Sequence, residues 1–221
     1  VGRDKSIKLI KDAYKGEKII GVVSQKDVGI EDPAKDELNR VGTVAKILKM
    51  LRMPDGNTTV IIQGKKRFEL LEIVQEDPYF RATIAPFDEI KPTKKKKEFN
   101  ALVESLKDMA LSIIQQSPNI PSESAFAIKN IESPSFLINF ISSNMNAEVD
   151  VKQGMLEVAN LQERATMLLG HLTKELQMLE LKNQIQSKVK VDIDQQQKEY
   201  FLNQQLKTIQ EELGGNVFDQ E

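Results

Sequence analysis

The 221-residue sequence has no cysteine and no tryptophan, and His171 is its only histidine. Without cysteine there is no disulfide framework, no thiolate metal site and no cysteine nucleophile. One histidine cannot supply a multi-histidine metal centre. No apolar run nears the ~18 residues of a membrane-spanning helix; the best, Ile19-Ile-Gly-Val-Val23, is far shorter. Charge is balanced, with 31 basic and 33 acidic residues. A dedicated nucleic-acid binder would carry a basic excess. What is missing is therefore mostly the side-chain chemistry of catalysis. The chain starts at Val1 rather than Met, and that points to a segment of a longer protein.

Texture changes along the chain. Up to residue 91 it is punctuated by Gly and Pro and rich in β-branched runs, and after Pro134 there is no proline. The pattern divides into a β-rich lobe over 1–91, a helical lobe over 92–160, and a long helix with its linker over 161–221. Asp4–Lys15 has helical spacing and ends at Gly16. Lys18–Val23 reads as a buried strand, and 27–39 as an acidic surface loop. Val41–Leu51 reads as a strand with a bulge at Gly42. Pro54-Asp-Gly56 reads as a hairpin turn, Thr58–Gln63 as a strand, and Gly64-Lys-Lys66 as a second turn. Phe68–Val74 and Phe80–Ala85 complete about five strands. Short connections imply an antiparallel, bent sheet or partial barrel. From Thr93 the apolar period becomes helical, with helices expected to Gln116, from Ser122, and from Ser133-Pro134 to Met145. Asp150 and Asn160 both stand at capping-box spacing. The fold class expected is α+β.

Leu161–Leu213 has no proline, and as one helix it would be ~80 Å long. A compact chain of this size has a radius of gyration of only ~17 Å. Leu161, Leu168, Leu172, Leu176 and Leu179 can pack on the preceding helices. Lys182–Glu199 is polar on most sides, as in a solvent-bridging helix. Tyr200, Phe201, Leu202, Leu206, Ile209 and Leu213 then form an apolar tip that the body cannot reach. Val189–Asp194 alternates like a strand, so a break there is the competing reading.

Most functional motifs fail. No Gly-x-x-x-x-Gly-Lys-Ser/Thr phosphate loop and no Gly-x-Ser-x-Gly elbow occurs. Residues 27–37 carry five carboxylates, without calcium-loop spacing. Lys94–Lys97 oppose a helix dipole and would suit an anionic surface, though a solvated linker explains them as well. Met50 and Met53 beside the Pro54 turn are adaptable apolar side chains at a hairpin tip; core packing competes with contact to variable apolar partners.

Four blocks carry a family resemblance: Val1-Gly-Arg-Asp-Lys-Ser6, Val41-Gly-Thr-Val-Ala45, Met53-Pro-Asp-Gly56, and Glu199-Tyr-Phe-Leu-Asn-Gln-Gln-Leu-Lys-Thr-Ile-Gln-Glu-Glu-Leu-Gly214. In this order they resemble the amino-terminal region of the Lon family of ATP-dependent proteases. The resemblance implies a β-rich, PUA-like partial barrel, then a helical lobe and a long projecting C-terminal helix. An ATPase module and a serine–lysine peptidase domain would follow after Glu221, in a homohexamer. Family members usually have an apolar strand before the first block, and none stands here. The segment itself is expected to be non-catalytic, with no catalytic, cofactor-binding or metal-binding residue; ATP and magnesium belong to the parent. Expected partners are unfolded or damaged proteins, the parent's own ATPase domain and neighbouring subunits, with no membrane and no nucleic acid. The expected location is a bacterial cytoplasm rather than a mitochondrial matrix. Candidate client contacts are Met50, Met53, Phe68, Tyr79 and Phe80. Candidate docking or oligomer contacts are Tyr200, Phe201, Leu202, Leu206, Ile209 and Leu213. The alternative is a purely structural spacer and oligomerisation module that binds no client.

Overall fold

A computed structural model describes residues 1–54, 58–93, 96–117, 120–121 and 123–215. The Asp55-Gly56 turn, the first half of Lys94–Lys97, and Ser122 lie outside the described residues. The chain opens with α1 (Asp4–Lys15), followed by β1 (Ile19–Val22), β2 (Val41–Arg52), β3 (Thr58–Gln75) and β4 (Arg81–Pro86). The strands form one antiparallel sheet in the order β1-β2-β3-β4. Five helices follow: α2 (Lys96–Gln116), α3 (Glu123–Asn130), α4 (Pro134–Asn144), α5 (Val149–Glu157) and α6 (Leu161–Gly215). The α+β class is as the sequence implied.

In the β-lobe, the apolar face of α1 covers one side of the sheet. Ile10 packs on Ile20, Ala45 and Ile47, with Leu9, Ala13, Tyr14, Met50 and Val60 around them. The loop before β2 contains a short 3-10 turn at Lys35–Glu37. Its carboxylates are used locally. Asp27 accepts from the Gly29 N–H at 2.8 Å, Glu37 from the Ala34 N–H at 2.7 Å, and Asp32 pairs with Lys5 at 3.1 Å.

The sheet has four strands, not five. Gly64-Lys-Lys66 is no turn, because β3 runs unbroken through it and pairs with β2 from Glu69 to Thr58. The ladder steps from Val44↔Lys66 to Ala45↔Gly64, so Lys65 is an extra residue that a bulge absorbs. The bulge expected at Gly42 is absent there, since Gly42 pairs in register with Phe68. Its small size serves close approach instead: a Cβ would lie 2.6 Å from the Val22 carbonyl oxygen and 2.7 Å from the Phe68 ring.

The helical lobe has its own core, in which Leu106, Ile138, Ala165 and Leu168 are fully buried. Leu161, Leu168 and Leu172 lie in this core, and Leu176 and Leu179 pack against it. The first turns of α6 therefore belong to the lobe, and the boundary with the projecting part runs inside the helix. Ser133 caps α4, accepting from the Phe136 N–H at 3.3 Å. Asn160 caps α6, accepting from the N–H groups of Gln162 at 2.9 Å and Glu163 at 3.2 Å. Asp150 does not cap α5, because that helix starts one residue before it, with Glu148 as its flanking residue.

The lobes meet across a polar seam. After β4, the Ile90 N–H donates to the Ala159 carbonyl, and the Leu161 N–H donates back to Ile90, both at 3.0 Å. Arg67 of β3 donates to the carbonyls of Leu156 and Val158 at 2.8 Å. Gln153 of α5 donates to the Val41 carbonyl at 3.0 Å and accepts from Ser24 at 2.8 Å. Glu89 accepts from Ser135 of α4 at 2.9 Å and forms an ion pair with Arg164 of α6, whose side chain is 2% exposed. Burial and the neighbouring Arg164 push Arg67 down to about 10, against the upward pull of Glu89. Arg67 stays charged at neutral pH, and Glu89 acts on it through space while pairing directly with Arg164.

Removing one partner of a buried ion pair strands the other charge. Glu89→Gln should lower the unfolding free energy by about 3 kcal/mol in urea titration. The double variant Glu89→Leu/Arg164→Met should recover much of that loss; an unchanged midpoint in the single variant contradicts this.

Candidate client-binding surface

The face of the sheet away from α1 carries the candidate site, and bulges shape it. Besides Lys65, the ladders skip Leu48 between Ile47 and Lys49, Leu71 between Leu70 and Glu72, and Val74 between Ile73 and Gln75. A bulged residue is re-aimed out of the strand's alternation. All three are exposed large hydrophobes, at 52%, 52% and 62%. Leu48 lies by exposed Ile61, and exposed Leu51 and Met53 continue β2 toward the hairpin end, whereas Ile62 pairs with Ile47 and shares its α1 face. Leu71 lies by exposed Ile84 of β4, and Val74 lies by Ala82 and Arg81. The sheet thus presents two apolar groups to solvent, one on β2–β3 and one on β3–β4. Surfaces of this kind, larger than scattered single residues, mark interaction sites.

Of the five side chains expected to touch clients, Met53 is exposed. Tyr79 and Phe80 are half-buried in the β3–β4 connection, and the Tyr79 hydroxyl donates to Asp12 of α1 at 3.3 Å. Phe68 is corrected. It is 3% exposed, its ring packed on the bare backbone of Gly21 and Gly42, so it is a core residue. Met50 is also drawn inward, packing against the α1 core. Sequence reasoning missed Leu48 and Ile61. The consecutive pair Ile61-Ile62 held the signal, since adjacent strand residues point to opposite faces.

The second candidate surface lies on α6. It is continuous over 55 residues, so the alternation at Val189–Asp194 does not break it. From Glu180 to Leu213 every side chain is exposed. The tip residues Tyr200, Phe201, Leu202, Leu206, Ile209 and Leu213 are each 52% exposed or more. They touch nothing in the two lobes. His171 is half-buried on α6, among residues that pack the helical lobe. Among the described residues no cluster of three His, Cys, Asp or Glu side chains could hold a metal ion. No helix there is long and apolar enough to cross a membrane.

Residues 1–174 match the family described as the ATP-dependent protease La (LON) substrate-binding domain. The chain belongs to that family. The Lon protease of Flavobacterium johnsoniae is 62% identical over 214 residues, covering 97% of the chain and 26% of the relative. That of Cytophaga hutchinsonii is 50% identical over 221 residues, covering 100% and 27%. The chain thus spans about a quarter of the length of these relatives. Its fold is similar to the N-terminal domain of the Mycobacterium avium complex Lon protease. That likeness has a TM-score of 0.55 and 17% identity, and covers 70% of this chain and 89% of the other. The N-terminal domain protein from Xanthomonas campestris Lon has a TM-score of 0.51 at 13% identity, covering 77% and 85%. The chain is the N-terminal, substrate-binding region of Lon.

The burial difference within this Lon surface has a direct test. Phe68→Ala should cost about 3–5 kcal/mol of stability by opening a cavity. Met53→Ala should stay within ~0.5 kcal/mol. Thermal unfolding of both variants checks it, and equal effects would contradict the assignment of Phe68 to the core.

Proposed function

We propose that this Lon region captures unfolded or damaged proteins by their exposed apolar segments and passes them to a motor. The observation that carries the proposal is the apolar surface of Leu48, Ile61, Leu51 and Met53, with a bulge at Leu48. Weak contact with many apolar side chains suits clients whose shared feature is exposed apolar area. Tyr79 and Phe80 would extend the surface across the β3–β4 connection. The motor would be the parent's ATPase module, using ATP with magnesium, followed by a serine–lysine peptidase domain. The long helix would dock its tip residues, Tyr200 to Leu213, on that module or on a neighbouring subunit of a homohexamer. The site of action would be a bacterial cytoplasm, with no membrane or nucleic acid as partner. The working division is 1–91 for capture, 92–160 for support and 161–221 for connection.

A second reading is favoured by the bare stretch of α6. In it the chain is a spacer and oligomerisation arm without client binding, since isolated helices are marginal in water and a long one gains most from a partner. Binding of an unfolded reporter, against a folded control, separates the two. Capture predicts reporter binding that the pair Leu48→Asp and Ile61→Asp weakens about tenfold, a loss of ~1.4 kcal/mol. No binding above the folded control would overturn capture. The paired substitution Leu206→Asp and Ile209→Asp should abolish self-association by sedimentation while leaving reporter binding intact. Persistence of self-association would overturn the docking role of the tip.

A further inference from the structure

The helical lobe carries a cleft that the capture surface does not use. Its volume is about 300 Å³, and its walls come from four helices, including Ile113 of α2, Ile128 of α3, Phe140 of α4 with Met145 just past its end, and Leu172 of α6. Space of that size accepts a large side chain or two. Phe136, 58% exposed, stands 6.3 Å from Phe140 between ring centroids and continues the apolar surface one turn along α4. The single ionisable group on the wall is Glu175 of α6. Among the described residues no lysine or arginine forms an ion pair with it. Burial pushes its carboxyl up from the ordinary range, against the downward pull of the Asn146 backbone N–H just past α4. A desolvated carboxylate without a counter-ion is costly to keep in an apolar wall. A cation brought by a ligand would offset that cost.

We infer that this cleft is a second client subsite, taking an unfolded segment that presents a large apolar side chain with a lysine or arginine beside it. The inference rests on the capture reading and deepens it. The cleft reads one apolar group and one cation together. Charge complementarity then selects among segments of equal hydrophobicity, and an acidic neighbour is rejected by repulsion from Glu175.

The probes are three capped Gly/Ser peptides of about twelve residues, each carrying a Phe-Leu pair followed by Lys, Gln or Glu. Affinity is read by fluorescence anisotropy on the whole chain. The location is read from the methyl signals of the methionines, with Met145 reporting the cleft and Met53 the sheet surface. The Lys peptide should bind about tenfold tighter than the Glu peptide and shift the Met145 signal. Glu175→Gln keeps the size and removes the charge, and should cut the preference for Lys over Gln to under about twofold. An unmoved Met145 at concentrations that shift Met53 would overturn the cleft and leave capture standing. A Lys preference unchanged in Glu175→Gln would also overturn it. Failure of every peptide to bind or to shift any methionine would overturn the capture reading along with the cleft.

Discussion

The buried pairing of Glu89 with Arg164 sets the geometry of this molecule. Glu89 lies just after the last strand, and Arg164 lies in the first turn of the longest helix. Their pairing, with Ser135 as a third partner, joins the sheet to two helices at one point. Backbone bonds between Ile90 and residues 159 and 161 reinforce the same spot. Three buried guanidinium nitrogens, Arg67 Nη2 and Arg164 Nε and Nη1, have no hydrogen-bond partner among the described residues. Burying Arg164 against one carboxylate, with half-buried Arg67 nearby, is an expensive way to gain stability. Its return is specificity, since few other packings of these lobes would satisfy so many polar groups at once.

That lock gives α6 its direction. The first turns of the helix are fixed by the helical core and by Asn160, so the remainder extends along one line. Nothing in either lobe covers its side chains beyond residue 180. An exposed helix of this length bearing aromatic and leucine side chains is the form expected of an arm that completes its packing on another domain or subunit. The sheet surface has the same physical signature in a different setting. Leu48, Leu71 and Val74 stand at bulges and are exposed.

Much of the architecture was legible in the sequence because its signals were local. Asp4–Lys15, the Ser133-Pro134 start, the Asn160 cap and the unbroken run from Leu161 each depend on spacing or capping within a few residues. The failures were non-local. Gly64-Lys-Lys66 has turn composition, but the partner strand β2 is long enough to hold it straight. Phe68 looked available as an aromatic within a short strand, yet it is covered because Gly21 and Gly42 leave room beside it. The outward leucines depend on ladder register, which no single segment encodes. The ion pair of Glu89 and Arg164 joins residues 75 positions apart, and the cleft with Glu175 needs four helices assembled before it exists.

The central claim is that α6 leaves a locked two-lobed body as one continuous helix. Small-angle X-ray scattering of the purified chain, with its molar mass measured on the same sample, tests it most directly. The account predicts a maximum dimension above ~80 Å, the length of a 55-residue helix at 1.5 Å per residue. A scattering profile of a compact particle with a radius of gyration near 17 Å, about what a globule of 221 residues gives, would contradict it.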